Sequence, residues 1–196
     1  MRVAPIGLFF CGKGIAQREI DVLGAQAAAL THGHQLGYIP AALLVHVVSL
    51  MAKGETSIEH AVLDGLDATQ RLFPHTEQLS YFTQLINKAV DLAKTNVEDV
   101  VAIQSLGEGW VAEETLVIAL YCALKYHNDF ARGVIAAVNH GGDSDSTGAV
   151  AGNVLGAHLG LQGIPQQFIN NLELENLIEQ VATYLFNGHL PPDKII

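Results

Sequence analysis

The sequence is short of the residues that staple small folds, grip nucleic acid or span membranes. Two cysteines occur in 196 residues. Cys11 and Cys122 lie far apart and in no CxxC or zinc-ligand spacing, which excludes a disulfide scaffold and a cysteine-ligated zinc site and favours a reducing compartment, the cytoplasm. Basic residues are few: 10 Lys+Arg against 20 Asp+Glu give a formal net charge of -10, without a basic cluster, so nucleic acid is not an expected partner. The most apolar segments, around 39–52 and 149–161, fall short of the ~20 residues a membrane span needs. No membrane association is expected. The start, MRVAPIGLFFCGKG, is broken by Pro5 and Gly7 and lacks the apolar core of a targeting signal. Strand-like alternation, internal repeats and low-complexity linkers are also missing.

What is present is a globular composition, with 49% hydrophobic and 15% charged residues, long enough for one domain spanning 1–196. Apolar positions recur at helical spacing throughout, which predicts an all-α fold. Ile20, Leu23, Gly24 and Ala27 form one face; Ala41, Leu44, Val45 and Val48 form the next. Ile58, Ala61, Val62, Gly65, Leu66, Thr69 and Leu72 follow, behind a capping box of Thr56 with Glu59. Leu79 to Ala93, a short segment through Val100 and Ile103, Leu116 to Ala123, Val134, Ile135 and Val138, and finally Leu174 to Leu185 supply further stripes. Loops are expected at Gly33–Pro40, Gly54, Pro74, Gly107–Gly109 and Gly163–Pro165, and in the tail after Gly188.

One predicted helix is unusual. Gly148, Gly152, Gly156 and Gly160 recur at i+4, although each glycine costs ~1 kcal/mol relative to alanine inside a helix. Such a stripe lets another backbone approach closely, which places this helix at the centre of the bundle. Just before it, "GGDSDST" sets Asp143 and Asp145 one residue apart. One aspartate serves as an ordinary N-cap. Two carboxylates side by side repel unless a cation joins them, and with Ser144, Ser146 and Thr147 they make a hard-oxygen set suited to magnesium, manganese or calcium. An EF-hand starting at Asp143 fails, because its twelfth position is Val154 where a bidentate Glu is required. The DxDx(T) signature of haloacid-dehalogenase-like phosphatases also matches, but the chain after it reads as helical rather than Rossmann-like.

The segment GGDSDSTGAVAGNVLGAHLGLQGIP resembles the C-terminal metal motif of the ADP-ribosylglycohydrolase family, which includes dinitrogenase reductase-activating glycohydrolase and the ADP-ribosyl hydrolases. MRVAPIGLFF, LGAQAAALTHGHQLGYIPAA and LGEGWVAEETLVIALYCAL are similar to further family segments in the same order, so the resemblance covers essentially the whole chain. It implies a compact multi-helix domain that holds magnesium, sometimes manganese, and hydrolyses the bond between ADP-ribose and an acceptor. On that basis Asp143 and Asp145 act in catalysis as metal ligands, with the Ser146 hydroxyl as a third. His32, in the Thr-His pair, contacts the ADP-ribose, and Trp110 stacks on the adenine. Gly107 and Gly109 let the backbone approach the ligand. His34 and His140 are expected to be structural, and Glu113 and Glu114 to start a helix.

The resemblance also implies a departure. This chain corresponds to the C-terminal two-thirds of the family fold and reads as N-terminally truncated. The family's Thr-Asp-Asp metal motif and glycine-rich phosphate loop are not in it, which leaves a divalent ion short of ligands. Apolar faces left without those helices are candidates for self-association or for a complementing chain. Three readings follow: an ADP-ribosyl hydrolase, inactive as an isolated chain unless complemented; a catalytically dead ADP-ribose or metal-binding module; and a crystallin-like structural protein on the same fold.

Overall fold

The computed structural model describes residues 1–170 and 172–188, and among them the chain is helical with no strand. The helices in order are α1 (Ala4–Phe10), α2 (Gln17–Ala29), α3 (Gln35–Ala52), α4 (Ile58–Leu72), α5 (Leu79–Ala93) and α6 (Asp99–Leu106). They continue with α7 (Ala112–Lys125), α8 (Phe130–Val138), α9 (Ser144–Leu159), the single turn α10 (Gln166–Ile169) and α11 (Glu175–Asn187). A 3-10 turn at Leu161–Gly163 joins α9 to α10. The tail expected after Gly188 lies outside the described residues.

The centre belongs to α3 and α7, whose residues are buried almost without interruption from Ile39 to Ser49 and from Thr115 to Ala123. A helix apolar on every face is stable only when other helices surround it. α1, α2, α4, α7 and α9 surround α3 in this way. Its 18 residues are, by length and composition, enough to cross a bilayer, longer than the 39–52 stretch suggested, yet 61% of that window is buried inside the fold.

The loop expected at Gly33–Pro40 is instead the start of this helix. α3 begins at Gln35 and carries Pro40 in its interior, where a proline costs about 3 kcal/mol in lost bonding and ring contact. Burial of Ile39, Pro40, Ala42 and Leu43 offsets that cost. The N-cap is His34, whose ring accepts the Leu36 N–H.

α4 buries the anticipated stripe of Ile58, Ala61, Val62, Gly65, Leu66 and Thr69. Its cap is one residue later than expected: the Ser57 hydroxyl accepts from His60 N at 3.1 Å. Glu59 pairs instead with Lys94 across to α5 at 2.7 Å.

Two helix faces differ from expectation. In α2, Leu23 is exposed and Asp21 takes the buried position, bonded to His46 of α3. In α8 the buried residues are Gly133, Ala136 and Ala137, while Ile135 and Val138 are largely exposed. Small residues face inward because α8 lies close on α9: a Cβ on Gly133 would sit 2.5 Å from Leu155.

α9 is not the central helix that its glycines suggested. It packs one side on α7, α8 and α3, and only Gly148 is in tight contact, with Val138 2.4 Å from where its Cβ would be. Gly152 and Gly156 face open space and Gly160 caps the helix. The apolar stripe of α11 buries nothing, and that helix touches the rest of the fold mainly through α1.

Candidate functional site

Four chain segments meet around a cavity of about 710 Å³: residues 1–3 at the N-terminus, the α2–α3 turn with the start of α3, the α6–α7 loop and the N-terminus of α9. Each is held by hydrogen bonds that follow from local sequence.

The α6–α7 loop begins at Gly107, where φ is 139°, a conformation that favours glycine. The Glu114 carboxylate, one turn into α7, accepts the N–H groups of Glu108 and Gly109, both at 3.1 Å. Gly107 has no Cβ because that carboxylate occupies its place, 2.5 Å away. The Thr115 hydroxyl donates to the Gly109 carbonyl at 2.6 Å. The loop is thereby tied down from both sides.

This loop in turn seats the aspartates. Asp143 N donates to the Glu108 carbonyl at 2.8 Å. The approach is so close that a Cβ on Gly142 would lie 1.7 Å from the same oxygen, so only glycine fits there. Behind it, the Gly142 N–H donates to Nδ1 of His140 at 3.1 Å, while Nε2 of that ring lies 2.9 Å from the Thr147 hydroxyl. Thr147 gives its own proton to the Ala137 carbonyl at 2.6 Å, so His140 donates from Nε2 and accepts at Nδ1. His140 is structural, as expected, and it sets the Gly141–Gly142 turn.

Asp143 is the N-cap of α9, its side chain accepting the Ser146 N–H at 3.4 Å, and Asp145 stands exposed in the first turn. The Asp143 carboxyl is held below the ordinary carboxylate range, chiefly by hydrogen bonding with the Asp145 carboxyl, then by the Ser146 hydroxyl and N–H. Two carboxyl groups bond to each other only through a shared proton, and a divalent cation takes the same place without one. Two carboxylate ligands and a hydroxyl are hard-oxygen donors that fit magnesium or manganese. Among the described residues no group of three or more His, Cys, Asp or Glu side chains is arranged to hold a metal ion. Were a divalent ion to sit here, the two aspartates and Ser146 are the oxygens this chain would offer it, fewer than its coordination shell needs.

His32, Trp110, Asp143 and Ser146 line the cavity together. Trp110 is 66% exposed and so lies outside the core. Gly107 and Gly109 do not line the cavity; they shape the loop that carries Trp110 and supports Asp143. The sequence reading did not place Arg2, His34 or Glu113 in the site, and all three line the cavity. Glu113 is only 8% exposed, and burial, with the charge of Glu114 added, pushes its carboxyl up. Glu114 was legible in principle, as a carboxylate just after a Gly-x-Gly turn whose N–H groups need acceptors.

The arrangement, all-helical among the described residues, is a hollow of nucleotide size lined by Trp110, His32, Asp143 and Ser146. The chain belongs to the ADP-ribosylglycohydrolase family, whose model matches residues 1–193. It is 28% identical over 200 residues to the human ADP-ribosylhydrolase ARH3, a match covering 88% of this chain and 52% of that protein. A protein of Archaeoglobus fulgidus is 27% identical over 97% of this chain and 57% of its own length. The ADP-ribosylarginine hydrolase Tri1 of Pseudomonas putida is 29% identical over 69% of this chain and 34% of its own length. The chain thus spans about half the length of the curated relatives it matches.

Proposed function

We propose that this chain binds ADP-ribose in the cavity and takes part in hydrolysis of the bond between ADP-ribose and its acceptor, with magnesium or manganese held by Asp143, Asp145 and Ser146. The observation that carries the reading is the convergence of His32, Trp110, Asp143 and Ser146, from three separate segments, on one hollow of nucleotide size. The names of the ARH3 and Tri1 relatives supply the substrate class.

In this reading Trp110 stacks on the base. His32 bonds to the ribose or diphosphate, and the aspartates bring the distal ribose to the rim. When bound, the cation supplies Lewis acidity toward ribose oxygens and water at the anomeric carbon. The Glu114 clamp and the Gly142 contact keep the carboxylates and the Trp110 loop in fixed relation without the ligand, which lowers the ordering cost of binding.

The small donor set favours one other reading, a module that binds ADP-ribose without cleaving it, because two carboxylates and one hydroxyl satisfy only part of a six-coordinate ion. Release of ADP-ribose from arginine-linked and serine-linked peptides, assayed with and without magnesium, separates the two. Magnesium-dependent release that disappears in the Asp143→Asn, Asp145→Asn double variant supports the hydrolase. Binding of ADP-ribose with neither peptide cleaved supports the module.

A further inference from the structure

We infer that His32 and His34 form a pair of uncharged hydrogen-bond donors on the cavity wall, both fixed with the proton on Nε2, and that Arg2 and Thr31 are the positioning residues that fix His32. The protonation sites follow from bonding partners. At His34 the Leu36 N–H donates to Nδ1 at 3.2 Å. A ring nitrogen that accepts carries no proton, so the proton of the uncharged ring is on Nε2. Capping α3 and setting this tautomer are one and the same contact.

At His32 the assignment runs through a relay. Arg2 Nη2 donates to the Thr31 hydroxyl oxygen at 2.9 Å and to the Ala27 carbonyl at 2.8 Å. Having accepted from a guanidinium, the hydroxyl is polarised toward donating its own proton. Its neighbour is His32 Nδ1, at 2.7 Å, the usual length for a hydroxyl donor. Thr31 therefore gives its proton to Nδ1, and the His32 proton is held on Nε2.

In both rings the Nε2–H has no bonding partner among the described residues, and both rings line the cavity. Arg2 lines it too, adding a positive charge on the same side. A wall of N–H donors suits the acceptor oxygens of a diphosphate or a ribose, whereas the carboxylates of Asp143 and Glu113 line the same cavity with acceptors. The identity of the acceptor oxygens rests on the ADP-ribose reading above; the tautomers do not.

The test is long-range proton–nitrogen spectroscopy of the full chain labelled in its histidine rings, with His32 and His34 assigned from His32→Asn and His34→Asn variants. Both rings are expected to show an unprotonated Nδ1 and a protonated Nε2. Thr31→Val, at an exposed position, should shift His32 toward a mixture of tautomers and leave His34 unchanged. A protonated Nδ1 in the parent chain, or a His32 signature unaffected by Thr31→Val, would overturn the relay. The same variant should weaken ADP-ribose by about five- to tenfold, the value of one hydrogen bond. Correct tautomers in a chain that binds no ADP-ribose would discard the ligand reading alone.

Discussion

Replacing Asp21 by asparagine should remove much of the stability of this fold and change how stability depends on pH. His46 is 3% exposed, and its two ring nitrogens lie 2.9 Å from Asp21 and 3.0 Å from Asp64. Two carboxylate acceptors require two N–H donors, so the buried ring is an imidazolium. Burial alone would lower its pKa; the hydrogen bond and charge of Asp21, followed by those of Asp64, outweigh it and raise the pKa above the ordinary 6.5. Asp21 is itself buried and bonded to Gln17, which also accepts from Ser49 and Lys53. Gly65 leaves room for the ring, which is 3.0 Å from where a Cβ would stand. Removing one partner of a buried ion pair costs 3–5 kcal/mol, and because half-exposed Asp64 remains, about 3 kcal/mol is expected for Asp21→Asn. That is a large share of the roughly 5–15 kcal/mol a domain has.

The sign of the pH dependence follows from the raised pKa. The contribution of His46 is fully present below about pH 6.5, the unfolded value, and is lost as pH rises through the folded value. Urea unfolding followed by circular dichroism at pH 6 and pH 8.5 should therefore show the parent chain losing more stability than the variant between the two. His158, lowered by burial and by His127, is the same in both chains, so its contribution cancels from the comparison. Equal pH dependence in the two chains would refute the charged state of His46.

Three further substitutions test the frame and the cavity. Gly142→Ala drives a Cβ into the Glu108 carbonyl and should cost about 3 kcal/mol in urea unfolding, with loss of divalent-ion binding in the same chain. Glu114→Gln keeps an acceptor for the Glu108 and Gly109 N–H groups but removes its charge, and thermal unfolding should show a loss of about 1–2 kcal/mol. Trp110→Ala, at an exposed position, should leave the unfolding midpoint unchanged while weakening ADP-ribose about ten- to a hundredfold by calorimetry, the value of one base–aromatic stack.

Helices with wide apolar stripes were legible because burial imposes a 3.6-residue period, and α4 and α5 keep the faces read from their sequences. The start of α3 was hidden because Gly37 and Pro40 are loop residues by local preference, and tertiary burial overrides that preference. The glycines of α9 misled because spacing shows that a close approach is possible, not which glycine meets a neighbour; only Gly148 does. At the site, Asp143, Ser146, His32 and Trp110 could be named from motifs. Arg2 could not, since it acts through Thr31, which only the folded chain brings near; Glu114 was legible only in principle, from the Gly-x-Gly turn whose Glu108 and Gly109 amides it accepts.

The most direct measurement is calorimetric titration of ADP-ribose into the parent chain and the Asp143→Asn, Asp145→Asn double variant, each with and without magnesium. Asparagine caps a helix as well as aspartate does, so the double variant keeps α9 and loses only the charged ligands. Binding by the parent chain that is strengthened by magnesium, with that strengthening gone in the double variant, is the expected result. No binding in any condition, or equal affinity in both chains with and without magnesium, would contradict a cation-assisted ADP-ribose site at these aspartates.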